Sequence, residues 1–270
     1  MFSDLSIEFD ELGMHLDVPF VPTGEGVIRA MLELGGVDAS DVLFDLGSGD
    51  GRIVVAAARD FGAQAVGVEI DSGRVALAQA YAEEVGVADR VCFLEDDLLE
   101  VDISPASVVT MFLLPHINLA LRPRLLTELR PGTRIVSHTF DMGDWQPDQQ
   151  IPAKYDSIFL WVIPARVAGG WHWQTADGRT YQVELEQRYQ QLSGEVWIDG
   201  QLAELEAALL WGDLLELVVL HEGDFEPESI ILHCRDDRLV VVSENQQGAV
   251  ARRTGSCKQA LTGPSAGIDG

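Results

Sequence analysis

Residues 43–59, LFDLGSGDGRIVVAAAR, decide the fold of this chain. The apolar run is interrupted at Asp45, three glycines follow within five positions at Gly47, Gly49 and Gly51, and apolar residues then return at helical spacing. Glycine is favoured where a backbone must turn tightly or pass close to a ligand. The stretch therefore predicts a strand, a glycine-rich turn and a helix, with a ligand bound at the turn.

Apolar strands and helical patterns alternate on both sides of this stretch. Runs such as QAVGVEI and ASVVTMFLL are separated by helical segments such as SGRVALAQAYAEEVG. Strands that alternate with helices predict a parallel sheet covered on both faces. We therefore predict an α/β domain with a Rossmann-like sheet over residues 19–167, preceded by an acidic N-terminal segment, 1–18. In the lead-in VPFVPT, Thr23 is a candidate N-cap of the first helix.

The pattern changes to short alternating strands from Trp171 onward. Asp177-Gly178 and Asp199-Gly200 are signals for tight hairpins. We predict a small antiparallel β domain over residues 168–246 and a flexible tail over residues 247–270. The segment QLAELEAALLWG fits either a helix or a strand.

The glycine motif does not fit a dinucleotide. The fingerprint G-x-G-x-x-G/A needs a small third residue so that helix and strand pack closely, and Arg52 occupies that position. A dinucleotide also needs helix N–H groups directed at its pyrophosphate. S-adenosylmethionine has no phosphate, and instead carries an ammonium, a ribose diol, an adenine amine and a sulfonium. A site lined by hydrogen-bond acceptors therefore suits S-adenosylmethionine better than one lined by N–H donors that bind anions.

Three carboxylates follow successive predicted strands in the order that this cofactor requires. We expect Asp45 to receive the ammonium, Glu69 the ribose hydroxyls and Asp97 the adenine amine, since the ends of parallel strands meet in one crevice. Gly47 and Gly49 are expected to let the backbone pass close to the ligand. The further predicted cofactor contacts are Pro22, Thr23, Asp50, Gly51, Ile70 and Leu98.

Five segments lie within about residues 17–165: VPFVPT, FDLGSGDGRIV, VVTMFLLP, NLALRPRLLTELRPGTRIVSH and FDMGDW. Together they resemble one subgroup of class I S-adenosylmethionine-dependent methyltransferases. The subgroup is similar to small archaeal protein-lysine methyltransferases and to mitochondrial enzymes that methylate a lysine of an ATP synthase subunit or a nucleotide translocase. The resemblance implies a seven-strand methyltransferase sheet and a lysine acceptor. It does not extend to the β domain.

The methyl acceptor is expected beside the end of the fourth strand. Methyl transfer from a sulfonium is an in-line displacement. The protein must therefore align the acceptor with the methyl group, exclude water and keep a lone pair on the acceptor. His116 is the candidate proton acceptor, with a surface histidine as the alternative. His138 is interpreted as a hydrogen-bonded strand residue or a substrate contact. The predicted substrate pocket consists of Phe20, Leu114, Pro115, Asp141 and Trp145.

The charge and cysteine content limit the partners. The net charge is −26, and only Lys154 and Lys258 are lysines. Such a surface disfavours nucleic acid and anionic membranes and favours a basic protein substrate, although adaptation to salt explains it equally well. The three cysteines are widely spaced, which predicts no zinc or other metal site and a reducing cytoplasm. No signal peptide or membrane-spanning run is expected.

Three functions remain open from the sequence. The first is protein-lysine N-methylation. The second is methylation of a small molecule, with the β domain as a lid. The third is a non-catalytic scaffold that binds S-adenosylmethionine and uses the β domain for partners. The intact set of Asp45, Gly47, Gly49, Glu69 and Asp97 argues against the scaffold.

Overall fold

The computed structural model describes residues 21–153, 156–221, 223–235, 238–243 and 249–254. The N-terminal segment 1–18, Phe20 and the residues from 255 onward, including Cys257, lie outside the described residues. The chain divides into two compact units, Met1–Val162 and Ile163–Gly270.

The first unit contains a seven-stranded sheet with strand order β3-β2-β1-β4-β5-β7-β6. Its helices are α1 (Glu25–Leu34), α2 (Arg52–Phe61), α3 (Ser72–Val85) and α4 (Pro115–Glu128). Its strands are β1 (Val42–Leu46), β2 (Gln64–Glu69), β3 (Val91–Glu95), β4 (Val108–Met111), β5 (Arg134–His138), β6 (Gln149–Pro152) and β7 (Ser157–Val162). Strands β1 to β5 pair in parallel, whereas β7 is antiparallel to both β5 and β6. The predicted seven-strand methyltransferase sheet is therefore confirmed.

The apolar patterns explain this arrangement. Leu43 and Leu46 of β1 and Val54 and Val55 of α2 are fully buried, because the helices cover the central strands. Strand order places β1 next to β4, so the chain reverses direction across the sheet there. Ligands bind at such a switch point, outside the carboxyl ends of the strands.

Three local features of the first unit can be compared with what the sequence predicts for them, and each depends on its surroundings in the fold. The N-cap of α1 is Gly24, and Thr23 makes no side-chain capping bond. The segment NLALRPRLLTELRPG predicts a helix that is bent or restarted at Pro123, and helix α4 continues through this residue without a restart. The sequence predicts a polar loop between TRIVSHTF and SIFLWVI, but strand β6 lies there. Its residues are largely exposed at the sheet edge and show no apolar alternation, so the sequence does not reveal it.

The second unit is a closed antiparallel barrel of eight strands, in the order β10-β11-β12-β13-β14-β15-β8-β9. The strands are β8 (Gly169–Gln174), β9 (Thr180–Arg188), β10 (Gln191–Ile198), β11 (Gln201–Trp211), β12 (Leu214–Leu220), β13 (Glu228–Arg235), β14 (Arg238–Val241) and β15 (Val250–Arg253). The ambiguous segment from Gln201 is thus a strand. Alternate residues such as Tyr181, Val183 and Leu185 point into the core, where Tyr181 stacks on Trp173 at 4.9 Å.

Strand β15 lies in the segment that the sequence predicts to be a flexible tail. Val250 and Ala251 pair with β14, and Arg252 and Arg253 pair with β8. These pairings close the barrel and leave no free sheet edge at β8 or β14. Residues 250–253 therefore belong to the barrel.

Candidate active site

A cleft lies at the carboxyl ends of the central strands of the first unit. It is lined by the lead-in to α1, the glycine loop and the ends of β2, β3 and β4. The predicted cofactor contacts found in its lining are Pro22, Thr23, Asp45, Gly47, Asp50, Glu69, Ile70, Asp97 and Leu98. The strand order explains why segments far apart in the sequence meet there.

Asp45 is a buried carboxyl at the end of β1. It is 2% exposed, and the Thr110 hydroxyl on the neighbouring strand β4 donates a hydrogen bond of 2.8 Å to its Oδ1. Asp45 and Thr110 are paired in register across the two strands. Burial raises the pKa of Asp45 to about 7, against the lowering effect of the Thr110 hydrogen bond. A cation in the cleft would favour the ionised form.

Glu69 is the buried last residue of β2, and its carboxylate holds the glycine loop. The Gly49 backbone N–H donates to Oε2 at 2.9 Å, and the Asp71 N–H donates to Oε1 at 3.1 Å. Arg74 Nη1 lies 3.8 Å from Oε1. The carboxylate that we expect at the ribose therefore also fixes the loop that passes the ligand.

The glycine loop uses its N–H groups internally. The Gly47 and Ser48 N–H groups both donate to the Val68 carbonyl at 2.9 Å, and the Gly51 N–H donates to Ser48 O at 2.9 Å. With the Gly49 N–H held by Glu69, these four donors are occupied. A phosphate would need such donors free, so the loop agrees with the exclusion of a dinucleotide.

Arg52, which breaks the dinucleotide fingerprint, ties two walls of the cleft together. Its Nε donates to Asp50 Oδ1 at 2.8 Å, and its Nη1 donates to the Thr23 carbonyl at 2.9 Å. The guanidinium fork suits this double attachment. It anchors the lead-in segment beside the glycine loop.

Gly49 and Gly51 are not among the residues that line the cleft. Gly51 has φ 79°, and a Cβ there would lie 2.7 Å from Phe93 Cζ and 2.8 Å from Ala78 Cβ. Its glycine is required because the start of α2 packs closely against α3 and β3. A Cβ at Gly47 would lie 2.8 Å from Leu113 Cδ2, so Gly47 serves the close packing of the cleft floor.

Phe112, Leu113 and Ile117 form the apolar part of the lining next to β4. The predicted pocket residues Leu114 and Pro115 follow directly, but neither is among the residues that line the cleft. His116 is exposed on the first turn of α4 and is also outside the lining. Phe20 lies outside the described residues.

Asp141 and Trp145 have structural contacts away from the cleft. The exposed Asp141 accepts a hydrogen bond from the Gly143 N–H at 3.0 Å, which orders the loop after β5. Trp145 is fully buried, and its carbonyl accepts from Trp161 Nε1 at 2.9 Å. Asp141 therefore orders a loop and Trp145 packs in the core, and neither of these contacts lines the pocket.

Sequence reasoning missed Thr110, Arg52 and Phe112. Thr110 needed the register of β1 against β4, which no local pattern contains. Phe112 precedes the predicted Leu114 by two residues, and the end of β4 at Met111 would have located it. The sequence identifies Arg52 only as the residue that excludes a dinucleotide.

The chemistry of the cleft fits S-adenosylmethionine. Its polar lining is dominated by acceptors, the carboxylates of Asp45, Glu69 and Asp97, matching a ligand whose polar ends donate an ammonium, two hydroxyls and an amine. Within the described residues, no three His, Cys, Asp or Glu side chains cluster so as to hold a metal ion. No helix in the described ranges has the length and apolarity to cross a membrane.

Comparisons with known proteins agree with this chemistry. The family model of the ANTKMT methyltransferase domain matches residues 45–149. A protein-lysine N-methyltransferase of Saccharolobus islandicus is 47% identical over 54% of this chain and 94% of its own length. The mouse adenine nucleotide translocase lysine N-methyltransferase is 34% identical over 57% of this chain and 67% of its own.

Among solved structures, an RNA methyltransferase from Salinibacter ruber, in complex with S-adenosyl-L-homocysteine, is 54% identical. The match has a TM-score of 0.54 and covers 54% of this chain and 96% of that one. The methyltransferase fold, the acceptor-lined cleft and these relatives agree. We conclude that the chain belongs to the ANTKMT-type family of S-adenosylmethionine-dependent methyltransferases.

Proposed function

We propose that this enzyme methylates the side-chain nitrogen of lysine in a protein by direct in-line transfer. The observation that carries the proposal is the Saccharolobus relative, which bears that name and aligns over 94% of its length at 47% identity. The mouse relative, named for a lysine of another protein, supports the same acceptor chemistry.

Three carboxylates would hold the cofactor in this proposal. Asp45 receives the ammonium, Glu69 the ribose hydroxyls and Asp97 the adenine amine. When bound, S-adenosylmethionine supplies an electrophilic methyl group. The protein needs no nucleophile of its own, so its residues orient the two reactants and exclude water.

The apolar wall beside β4 suits a lysine acceptor. A lysine has an ordinary pKa of about 10.4, so making it neutral at pH 7 costs roughly 4.6 kcal/mol. Desolvation against Phe112, Leu113 and Ile117 favours the neutral amine, which has the lone pair that transfer requires. We infer that this wall lowers the pKa of the bound lysine.

RNA methylation is the second candidate, because the Salinibacter structure at 54% identity is titled an RNA methyltransferase. The net charge of −26 opposes it, since phosphate backbones are bound through lysine and arginine. A lysine-rich protein surface is attracted by the same charge. The cleft also adds the carboxylates of Asp50 and Asp96 to the three already named. We therefore favour protein over RNA.

A labelling experiment separates these acceptors. The full chain is incubated with methyl-labelled S-adenosylmethionine and a cell lysate, which is then divided between protease, ribonuclease and ultrafiltration. We expect label that protease releases and that amino-acid analysis recovers as methyl-lysine. Ribonuclease-sensitive label would support the second candidate, and label only in the filtrate would support a small acceptor. An Asp45→Ala/Glu69→Ala double variant gives the background.

We further propose that the enzyme works in the cytoplasm. Cys92 is exposed and is a free thiol. Exposed free thiols are compatible with a reducing compartment.

A further inference from the structure

His138 lies one layer behind the apolar wall of the cleft. It is the last residue of β5, next to β4, and is buried. Its ring centroid is 4.3 Å from that of Phe112, with the planes tilted by 46°. Phe112 lines the cleft, whereas His138 is not in the lining. His138 can therefore act on a ligand in the cleft through Phe112.

Asp156, the residue before β7, holds His138. Its Oδ1 lies 3.2 Å from His138 Nε2, and its Oδ2 accepts a hydrogen bond from the Thr139 hydroxyl at 2.8 Å. The Thr139 N–H donates to Ser157 O at 2.8 Å. The end of β5 is thus held by contacts of the His138 ring, the Thr139 hydroxyl and the Thr139 backbone N–H.

The backbone beside His138 is strained. Thr139 has φ 71°, and the Phe140 N–H donates to His138 O at 2.9 Å, which makes a γ-turn with positive φ. This turn is rare for a residue with a β-branched side chain. Strain of this kind persists only where surrounding contacts enforce it, and it clusters at functional sites.

A second unfavourable feature lies on the His138 ring. Asp156 is the acceptor for Nε2, so in the neutral ring Nε2 carries the hydrogen and Nδ1 is an acceptor. Among the described residues, Nδ1 is buried and has no hydrogen-bond partner. A buried polar atom without a partner needs an explanation, and a role at a functional site is one of those that occur in proteins.

The cofactor contacts do not supply that explanation. Asp45, Glu69 and Asp97 lie at the ends of β1, β2 and β3, while Phe112 lies past β4, on the other side of β1. The wall formed by Phe112 is therefore left for the methyl acceptor.

We propose that His138 and Asp156 are positioning residues that fix the Phe112 ring as the wall against which the acceptor side chain aligns. This inference rests on the proposed function, in that the acceptor is a lysine whose aliphatic stem packs on the ring. Misalignment of an in-line displacement lowers the rate of the transfer step, whereas the expected cofactor contacts at Asp45, Glu69 and Asp97 should be retained.

The kinetic test compares His138→Leu, His138→Gln and Asp156→Ala in the full chain. The reference is His233→Gln, since His233 and Asp213 form a similar pair, 3.4 Å apart, in the barrel. For His138→Leu and Asp156→Ala we expect kcat on the lysine acceptor to fall about tenfold or more. The Kd of S-adenosylhomocysteine should stay within about twofold, since its contacts are unchanged. His138→Gln, which keeps a donor for Asp156, should recover most of the activity.

Wild-type kcat in His138→Leu would overturn the proposal. So would a loss of cofactor binding and thermal stability in step with kcat, because that describes a residue needed only for folding. The reference variant should match the wild type in all three measurements.

A second measurement needs no acceptor. The chain is labelled with 4-fluorophenylalanine and observed by fluorine NMR. The resonance that disappears in Phe112→Leu is assigned to Phe112. We expect that resonance to move or broaden in His138→Leu and Asp156→Ala and to stay unchanged in His233→Gln. An unchanged resonance in the first two variants refutes the positioning role. Failure of the wild type to methylate any lysine refutes the proposed function instead.

Discussion

Asp45 is the residue whose chemistry depends most on its position. Burial raises its pKa to about 7, yet the ammonium that we propose for it needs the ionised form. An exposed aspartate would be ionised across the neutral range. We therefore expect cofactor binding to be coupled to the loss of a proton from Asp45.

We predict that S-adenosylhomocysteine binds more tightly as the pH rises from 5 to 7. Below about pH 7 the carboxyl must first lose its proton, so affinity should fall up to about tenfold for each pH unit. The ligand's α-ammonium has an ordinary pKa well above 7, so it stays charged over this range. Calorimetry measures the effect, and Asp45→Asn should give weak, pH-independent binding. A flat wild-type profile would contradict the assignment.

Glu69 should matter more to the cofactor than its position at a strand end suggests. We predict that Glu69→Ala weakens S-adenosylhomocysteine binding by about 1–3 kcal/mol, because ribose donors lose their acceptor and the Gly49 N–H loses its partner. Calorimetry again measures the change. The exposed Glu95, its register partner on β3, provides the control, and Glu95→Ala should bind normally. If both variants and the wild type bind with equal affinity, Glu69 only anchors the glycine loop and does not contact the ribose.

At the scale of elements, helix α2 begins where β3 and α3 leave no room for a side chain. Gly51 at its N-cap has φ 79°. Gly86 at the C-cap of α3 has the same φ, but a Cβ added there would meet no atom within 4 Å. The two glycines share a backbone φ and differ in their surroundings. Substituting each of them by alanine therefore separates the cost of backbone strain from the cost of overpacking.

We predict that Gly51→Ala lowers the free energy of unfolding by about 2–5 kcal/mol, the sum of left-handed strain and overpacking. Gly86→Ala should cost only the first part, about 1–2 kcal/mol. Urea unfolding followed by circular dichroism measures both. Equal losses would show that Phe93 and Ala78 yield to the added methyl group.

At the scale of the whole molecule, the seven-stranded sheet is complete before the barrel begins. All of its strands lie within Met1–Val162. The Saccharolobus relative is 94% covered by 151 residues of this chain, so it has no counterpart of the full second unit. We propose that the two units are separate domains.

A chain that ends at Val167 should accordingly fold and bind S-adenosylhomocysteine. Its sheet and its cleft residues are all retained, so the affinity should stay within about threefold of the full chain, less than about 1 kcal/mol. Calorimetry and a cooperative urea transition test this. Loss of folding would mean that the two units share a core, and loss of turnover alone would assign the barrel to the acceptor.

The acidic surface predicts a salt effect on a basic acceptor. The screening length falls from about 8 Å at 0.15 M salt to about 3 Å at 1 M. We expect the KM for a lysine-rich protein to rise over this range while kcat holds, because steering acts on encounter. Steady-state kinetics at several salt concentrations provide the test. A flat or rising efficiency would instead indicate adaptation to salt.

The sequence by itself determined the alternation of strands and helices and the change to a β domain. It also predicted that Asp45, Glu69 and Asp97 lie in one crevice, and the structure places all three in the lining of the cleft. These features are local, since apolar period, glycine turns and strand ends are all encoded within a few residues. It did not reveal β6, whose exposed residues lack alternation, nor β15, which is defined by the strands on either side of it.

Only the tertiary structure decided the contacts between distant segments. It brought Thr110 to Asp45, Arg52 to the Thr23 carbonyl, and Asp156 to His138 behind Phe112. It also placed His116 on the surface and Trp145 in the core, against the expectation that both belong to the site. Strand order and register set these distances. A local sequence pattern contains neither, because strands that are far apart in the sequence pair through their backbones, whatever their side chains.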